Sequence, residues 1–111
     1  MNGETLAFRF KDDFLKALSH PVRLGVIERL RQGEAPVNSL CRDLGVEQPA
    51  LSKHLGVLRG AGVVVARPEG TTVYYSIRDR DIFKLLGPIA DILRRRLSES
   101  SRVLDRLARN R

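Results

Sequence analysis

The chain has one cysteine, two histidines and no long run of apolar residues among its 111 residues. One cysteine cannot form a disulfide within the chain, so the sequence predicts a protein of the reducing cytoplasm. No apolar stretch approaches the length that spans a bilayer, and residues 1–5 lack the basic and apolar segments of a signal peptide. We therefore expect neither insertion into a membrane nor export.

The sequence also lacks the arrangements on which most enzymes depend. It shows no nucleophile–base pair, no glycine-rich loop for phosphates and no pair of carboxylates set up for acid–base chemistry. A chain of 111 residues can form one modest core and is too short for a separate ligand-sensing domain. We predict a single domain over residues 1–111 that is not an enzyme and holds no cofactor.

Basic charge is what the chain has in excess. Twenty Lys and Arg residues against thirteen Asp and Glu give a formal net charge of +7. Basic groups that neutralise phosphates release condensed counterions, so this surplus favours a nucleic acid as partner. A solvated basic surface is the plainer alternative. An anionic membrane is less favoured as partner, because the sequence has no long basic amphipathic helix whose apolar residues are not already assigned to the core.

Apolar spacing divides the chain into helices and one hairpin. Buried stripes are expected in the second helix (Leu24, Ile27 and Leu30), in the third (Val37, Leu40, Cys41 and Leu44) and in the fourth (Leu51, Leu55 and Leu58). Gly87-Pro88 predicts either a kink or a break in the last helix. The predicted segments are helices over 4–18 and 21–32, a helix pair over 36–60, a hairpin over 63–77, a helix over 79–97 and a fraying basic tail over 98–111.

Two short helices joined by a turn at Gly45 and followed by a hairpin are typical of a helix-turn-helix with a wing. The predicted fold class is therefore mainly α with a β-hairpin wing. The second helix of the pair carries small and polar residues opposite its leucines, which suits close approach to bases. An ordinary solvated helix face is the alternative for this helix taken alone. The candidate DNA contacts are Gln48, Pro49, Ser52, Lys53, His54 and Arg59 in the helix, and Arg67, Gly70, Thr71 and Thr72 in the wing.

Three segments then resemble one family. They are Ser19-His20-Pro21-Val22-Arg23-Leu24, Gln48-Pro49-Ala50-Leu51-Ser52-Lys53-His54-Leu55 and the wing stretch Arg67-Pro68-Glu69-Gly70 with Val73-Tyr74-Tyr75. Together they are similar to the arsenical-repressor (ArsR/SmtB) family of bacterial winged-helix regulators, over about residues 8–97. The resemblance implies a repressor that is released from DNA by an effector. It also implies a homodimer joined through the first and last helices. One departure is Glu47, where the family usually has a serine N-cap, since glutamate caps poorly.

Apolar side chains on the first and last helices exceed what the predicted core can cover. A dimer is also expected because one recognition helix reads too few base pairs for a useful specificity. Two recognition helices related by a two-fold axis would read an inverted-repeat operator. The predicted dimer interface consists of Phe8, Phe10, Phe14, Ile82, Leu86, Ile89 and Leu93.

Many relatives of this family sense metals or arsenicals through cysteine or histidine clusters. Residues 34–40, which align with the family's thiol motif, contain no cysteine, and residues 79–97 contain no histidine. We therefore predict no metal at either usual site, with Cys41 in the core. The effector stays open between a small organic molecule, a partner protein and a metal such as nickel or zinc on atypical ligands. Those ligands would come from His20, the N-terminal amine or the carboxylates Asp79, Asp81 and Asp91. A winged-helix module that binds proteins is the further alternative.

Overall fold

The computed structural model describes residues 3–109, which divide after Asp79 into two compact units. The second unit holds one helix, α5 (Ile82–Arg109). Across residues 3–109, no helix combines the length and the apolar character needed to cross a bilayer. The first unit holds α1 (Gly3–Leu18), α2 (Pro21–Leu30), β1 (Ala35–Pro36), α3 (Val37–Leu44), α4 (Gln48–Gly60), β2 (Val64–Glu69) and β3 (Thr72–Ile77). The prediction of a mainly helical fold with a small antiparallel wing is confirmed.

The start of α2 is set by His20 and Pro21. His20 is the N-cap with an extended backbone, and its Nδ1 accepts a hydrogen bond of 3.1 Å from the Val22 N–H. Pro21 occupies the first turn, where a missing N–H costs nothing because that group has no partner within the helix. The chain therefore turns sharply between α1 and α2.

The turn between α3 and α4 depends on glycine. Gly45 ends α3 with φ of 65°, the left-handed conformation that a side chain disfavours, and its N–H donates to the Cys41 carbonyl. Gly25 of α2 allows the two helices to approach closely, since a Cβ there would lie 3.1 Å from Leu44 Cδ2. An ion pair of 2.7 Å between Arg29 and Asp43 joins the same two helices at the surface.

The core of the first unit forms around α4, whose predicted leucine stripe is confirmed as fully buried. The largest buried side chains are Ile27, Leu30, Leu40, Leu51, Leu55, Leu58, Val26 and Val64. Leu24 was expected in the stripe of α2 but is 41% exposed. At 100° per residue the buried arc of α2 is centred between Val26 and Ile27, which leaves Leu24 at its edge. Cys41 is half-buried rather than enclosed.

The wing is a three-stranded sheet in the order β1-β3-β2. The hairpin turn is two residues long between Glu69 and Thr72, and Gly70 supplies the positive φ of 62° that it needs. The sequence missed β1 and placed residue 36 inside a helix. Ala35 and Pro36 pair with Tyr75 and Tyr74 instead, and proline is tolerated there because an edge strand has no partner for the missing N–H.

The last helix differs most from its predicted form. It begins at Ile82 rather than residue 79 and runs through Pro88 without a break. It also continues to Arg109, so residues 98–109 of the predicted fraying tail are helical, while residues 110 and 111 lie outside the described part. Leucines at positions 97, 104 and 107 continue the helical apolar spacing, which accounts for the extension.

Leu58→Ala should lower the free energy of unfolding by about 2–5 kcal/mol, because it removes a side chain of 0% exposure and leaves a cavity. Val57→Ala is the matched control on the same helix, since Val57 is 44% exposed, and it should change the stability by less than about 1 kcal/mol. Urea unfolding of both variants measures the difference. Equal losses would show that this side of α4 is not its core side.

Candidate nucleic-acid interface

The outer face of α4 carries the residues predicted to read bases. Gln48 is the first residue of the helix, and Gln48, Pro49, Ser52 and Lys53 are all exposed. Pro49, Ser52 and Lys53 lie about 90–170° around the helix from the centre of the buried leucines, because the helix turns by 100° per residue. Gln48 lies only about 50° from that centre and is exposed as the first residue of the helix. The structure thus presents three of these candidates on the solvent-facing side of α4 and Gln48 at its exposed N-terminus. We name these four residues the reading face.

The N-terminus of α4 has no side-chain cap. Glu47 is the N-cap residue with extended backbone angles, and its carboxylate makes no capping hydrogen bond. This agrees with the poor capping expected of glutamate at this position. The first N–H groups of the helix therefore receive no acceptor from the cap, and a helix end of this kind favours anionic groups.

His54, the fifth candidate in this helix, has a different environment. It is half-buried, and its ring centroid lies 4.2 Å from that of His20. Its Nδ1 is 3.3 Å from Nη1 of Arg23 and accepts from that guanidinium, because arginine can only donate. His54 therefore packs towards α2 and is not part of the reading face.

Arg23 joins three helices through this contact. Its Nε donates to the Ala17 carbonyl at 2.6 Å, an acceptor at the end of α1, and its Nη2 donates at 3.0 Å to the Lys16 carbonyl, which also accepts from the Ser19 N–H. We name His20, Arg23 and His54 the Arg23 cluster. The sequence contained all three residues, but nothing in their spacing showed that residues 23 and 54 meet.

The wing presents fewer free groups than the sequence predicted. Gly70 and Thr71 are exposed at its tip, and Thr72 is half-buried. Arg67 instead pairs with Glu34 at 2.7 Å and with Glu69 at 2.6 Å. Its guanidinium also lies 4.8 Å from the centre of the Tyr74 ring. Hydrogen bonds to Glu34 and then to Glu69 raise the pKa of Arg67 above its ordinary value, so the charge is firmly held. Arg67 thus ties β2 to Glu34, the residue before β1.

The predicted interface residues of the first and last helices also differ in exposure. Phe8 and Phe10 are 68% and 67% exposed, whereas Phe14 is half-buried. On α5, Ile89 and Leu93 are exposed, Leu86 is half-buried and Ile82 is 8% exposed. At this exposure, Ile82 leaves little surface for a partner.

A metal cluster is not found among the described residues, since no group of three or more His, Cys, Asp or Glu residues between positions 3 and 109 is placed to hold an ion.

Comparison with known proteins places the chain in a family. Residues 18–67 match the model of a helix-turn-helix domain. The chain is 42% identical over 108 residues to the HTH-type transcriptional regulator Rv0081 of Mycobacterium tuberculosis, covering 96% of this chain and 94% of that protein. The crystal structure of Rv0081 aligns with a TM-score of 0.74 at 41% identity, over 84% of this chain and 94% of that one.

A second structure carries the family assignment. The winged helix-turn-helix DNA-binding domain Mb0332 of Mycobacterium bovis, a homodimer and a possible ArsR-family regulator, aligns with a TM-score of 0.75 at 31% identity, over 82% of this chain and 87% of that one. The chain belongs to the ArsR family of winged helix-turn-helix transcriptional regulators. The transcriptional repressor BigR of Xylella fastidiosa aligns with a TM-score of 0.68 at 35% identity, over 83% of this chain and 96% of that one.

The Arg23 cluster makes stability depend on pH. Burial, followed by the charges of His20 and Arg23, lowers the pKa of His54 below its ordinary value of 6.5. Between that value and the lower folded pKa, the unfolded chain binds a proton that the folded chain excludes, so the free energy of unfolding falls as the pH falls. Above 6.5 both states are neutral at this site and it contributes no pH dependence.

We expect His54→Gln to flatten this loss of stability on acidification, because glutamine does not titrate. Urea unfolding at a series of pH values from about 7.5 down to 5 measures the slope in both proteins. The difference between the two slopes isolates the contribution of His54 from that of other groups. Identical slopes would mean that His54 titrates alike in the folded and unfolded chains.

Proposed function

We propose that this protein is a transcriptional repressor that binds an inverted-repeat operator as a homodimer, with α4 in the major groove. The observation that carries the proposal is the division of α4 into a fully buried leucine side and an exposed reading face. A helix held in this way presents one defined set of side chains to a groove about 12 Å wide. The BigR repressor and the Mb0332 DNA-binding domain share this fold, which supports the assignment.

The chemistry of the reading face fits base edges. Gln48 can pair with adenine through its amide, Lys53 can donate to the acceptors of guanine, and Ser52 can contact several bases. Gln48 lies at the N-terminus of α4, the end that contacts bases in this motif. Pro49 and Gly56 add little bulk on the exposed surface, so the helix can approach the base pairs closely.

The wing contributes backbone contacts in this proposal. Because Arg67 is paired with Glu34 and Glu69, its role is to hold the hairpin in place. The exposed tip at Gly70 and Thr71 then offers backbone N–H and hydroxyl groups, which are typical contacts to phosphate. Arg59, exposed in the last turn of α4, supplies a further cation for the same purpose.

The homodimer is supported by apolar side chains that are exposed on α1 and by others that are exposed on α5. Phe8 and Phe10 of α1 are more than half exposed, as is Leu93 of α5. On α5 the exposed apolar side chains Ile89, Leu93 and Leu97 recur at helical spacing, and an apolar stripe of this kind usually marks an interaction site. The Mb0332 domain is a homodimer with the same fold. We infer that the protein acts in the cytoplasm, where its operator would lie, and we leave the effector open.

Lys53→Ala should weaken binding to an operator selected from random duplex DNA. The loss should be at least about 1 kcal/mol if Lys53 reads a guanine. If Lys53 instead contacts a phosphate, the salt dependence of binding should flatten by about one unit. Lys84→Ala is the control, because Lys84 is an exposed lysine paired with Asp81. Unchanged affinity and unchanged salt dependence, measured by fluorescence anisotropy, would remove Lys53 from the interface.

Light scattering at micromolar concentration should give the mass of a dimer, about twice the 12.5 kDa of the chain. Leu93→Glu should shift the equilibrium towards monomer, because it places a charge on the apolar side of α5. Ser98→Glu is the matched control, since residue 98 is exposed and lies about 140° around the helix from residue 93, away from the apolar side. A wild-type protein that is monomeric at this concentration would contradict the homodimer.

A further inference from the structure

The positive charge of this protein is unevenly divided between its two units. Residues 80–111 hold nine of the twenty basic residues and four of the thirteen acidic ones, a formal surplus of +5. Residues 1–79, which contain the helix-turn-helix and the wing, hold eleven and nine, a surplus of only +2. The unit that carries the reading face is therefore close to neutral, and the helix beyond it is strongly basic.

Six of the eleven basic side chains of the first unit form hydrogen bonds or ion pairs within the part of the chain that the structure describes. Arg23 donates to the carbonyls at the end of α1, and other cations pair with carboxylates, as in Lys16–Asp12, Arg29–Asp43, Arg31–Glu28, Arg42–Asp43 and Arg67–Glu34. On α5, Arg94 pairs with Asp91 at 3.2 Å. By contrast, Arg95, Arg102 and Arg106 form no hydrogen bond or ion pair with any residue between positions 3 and 109. Their guanidinium groups are exposed to solvent, with the exposed carboxylate of Glu99 one helical turn after Arg95.

These three arginines form one line along α5. Spacings of seven and four residues bring each one within about 20° of the mean direction at 100° per residue, over a length of about 16 Å. We name Arg95, Arg102 and Arg106 the basic face. Leu93, Leu97 and Leu104 lie about 160–200° from Arg95 around the helix, on the opposite side. A second copy covering those leucines would leave the basic face in solvent.

We propose that the basic face binds the sugar–phosphate backbone of DNA, as a second and sequence-independent contact in addition to the reading face. The inference rests on the proposed DNA-binding function. The helix-turn-helix has a small net charge and so supplies only part of the electrostatic affinity for DNA, and the inference assigns another part to α5. A row of guanidinium groups about 16 Å long spans the axial length of about five phosphates of one strand, which repeat every 3.4 Å of axis. Arginine also binds phosphate oxygens in bidentate geometry.

DNA fits this helix better than an anionic membrane. Residues 91–109 contain no aromatic side chain, whereas helices that lie in a membrane interface commonly use tryptophan or phenylalanine there. The leucines opposite the basic face are also needed by the second copy in the proposed homodimer, so they would not be available to lipid. The arginines therefore fit a polyanion such as DNA, which can bind the basic face while the leucines stay in the dimer.

The test compares three full-length variants with the wild type. The basic-face variant carries R95Q, R102Q and R106Q, and glutamine keeps the helix because its helix propensity resembles that of arginine. The control carries R31Q, R42Q and K84Q, which removes the same charge at positions already paired with carboxylates. The third variant carries R95K, R102K and R106K and keeps the charge. Circular dichroism and light scattering verify equal helix content and equal mass.

Binding to a 40-base-pair duplex of scrambled sequence is measured by anisotropy between 50 and 200 mM salt. The slope of log Kd against log salt should flatten by about 0.9 for each arginine that contacts a phosphate. We expect a flattening of two or more in the basic-face variant, less than one in the control, and the wild-type slope in the lysine variant. A wild-type slope in the basic-face variant, or equal flattening in the control, would overturn the inference.

A second readout separates this inference from the proposed function. The ratio of operator to scrambled-DNA affinity should stay unchanged in the basic-face variant, because the arginines carry no sequence information. It should fall in Lys53→Ala if Lys53 reads a guanine. A wild-type protein that binds neither DNA would refute the proposed function itself. Arginine-dependent flotation with vesicles of anionic phospholipid, together with an unchanged DNA slope, would overturn the inference in favour of a membrane.

Discussion

Burial of the leucine side of α4 is the constraint on which the rest of this structure depends. Leu51, Leu55 and Leu58 recur at helical spacing and are fully buried, so the opposite side of the helix must face solvent. The Arg23 cluster adds a polar restraint, because one guanidinium holds both the end of α1 and the His54 ring of α4. Apolar packing and this contact together fix which side chains α4 presents.

Charge serves two different purposes in the two units. In the first unit, Arg29 joins α2 to α3 and Arg67 joins β2 to Glu34, so these two cations stabilise the positions of elements. In α5, the basic face has no such partners among the residues that the structure describes. A protein that reads base edges gains specificity from a well-positioned surface and affinity from free positive charge. We infer that this chain places the two in different parts of its sequence.

Local patterns were sufficient to predict the kinds of element and which side of α4 is buried. Pro21 begins α2, Gly45 ends α3 and the alternation after residue 63 forms the hairpin, each for a reason contained in a few neighbouring residues. The predictions that differ from the structure lie at edges and ends. Leu24 is at the border of a buried arc, β1 depends on pairing with a distant strand, and α5 continues beyond residue 97.

The sequence by itself determined that α4 has a buried side and an exposed side, because hydrophobic period encodes which residues share a face. It also determined the family, through the short segments around residues 19–24 and 48–55. Only the tertiary structure decided that His54 turns inward to Arg23 and that Arg67 is held by Glu34, since these pairs are 31 and 33 residues apart. Contacts between residues so far apart in the chain arise from how helices and strands pack. The periodicity of one segment shows which of its residues share a face, and it does not show which other segment that face contacts.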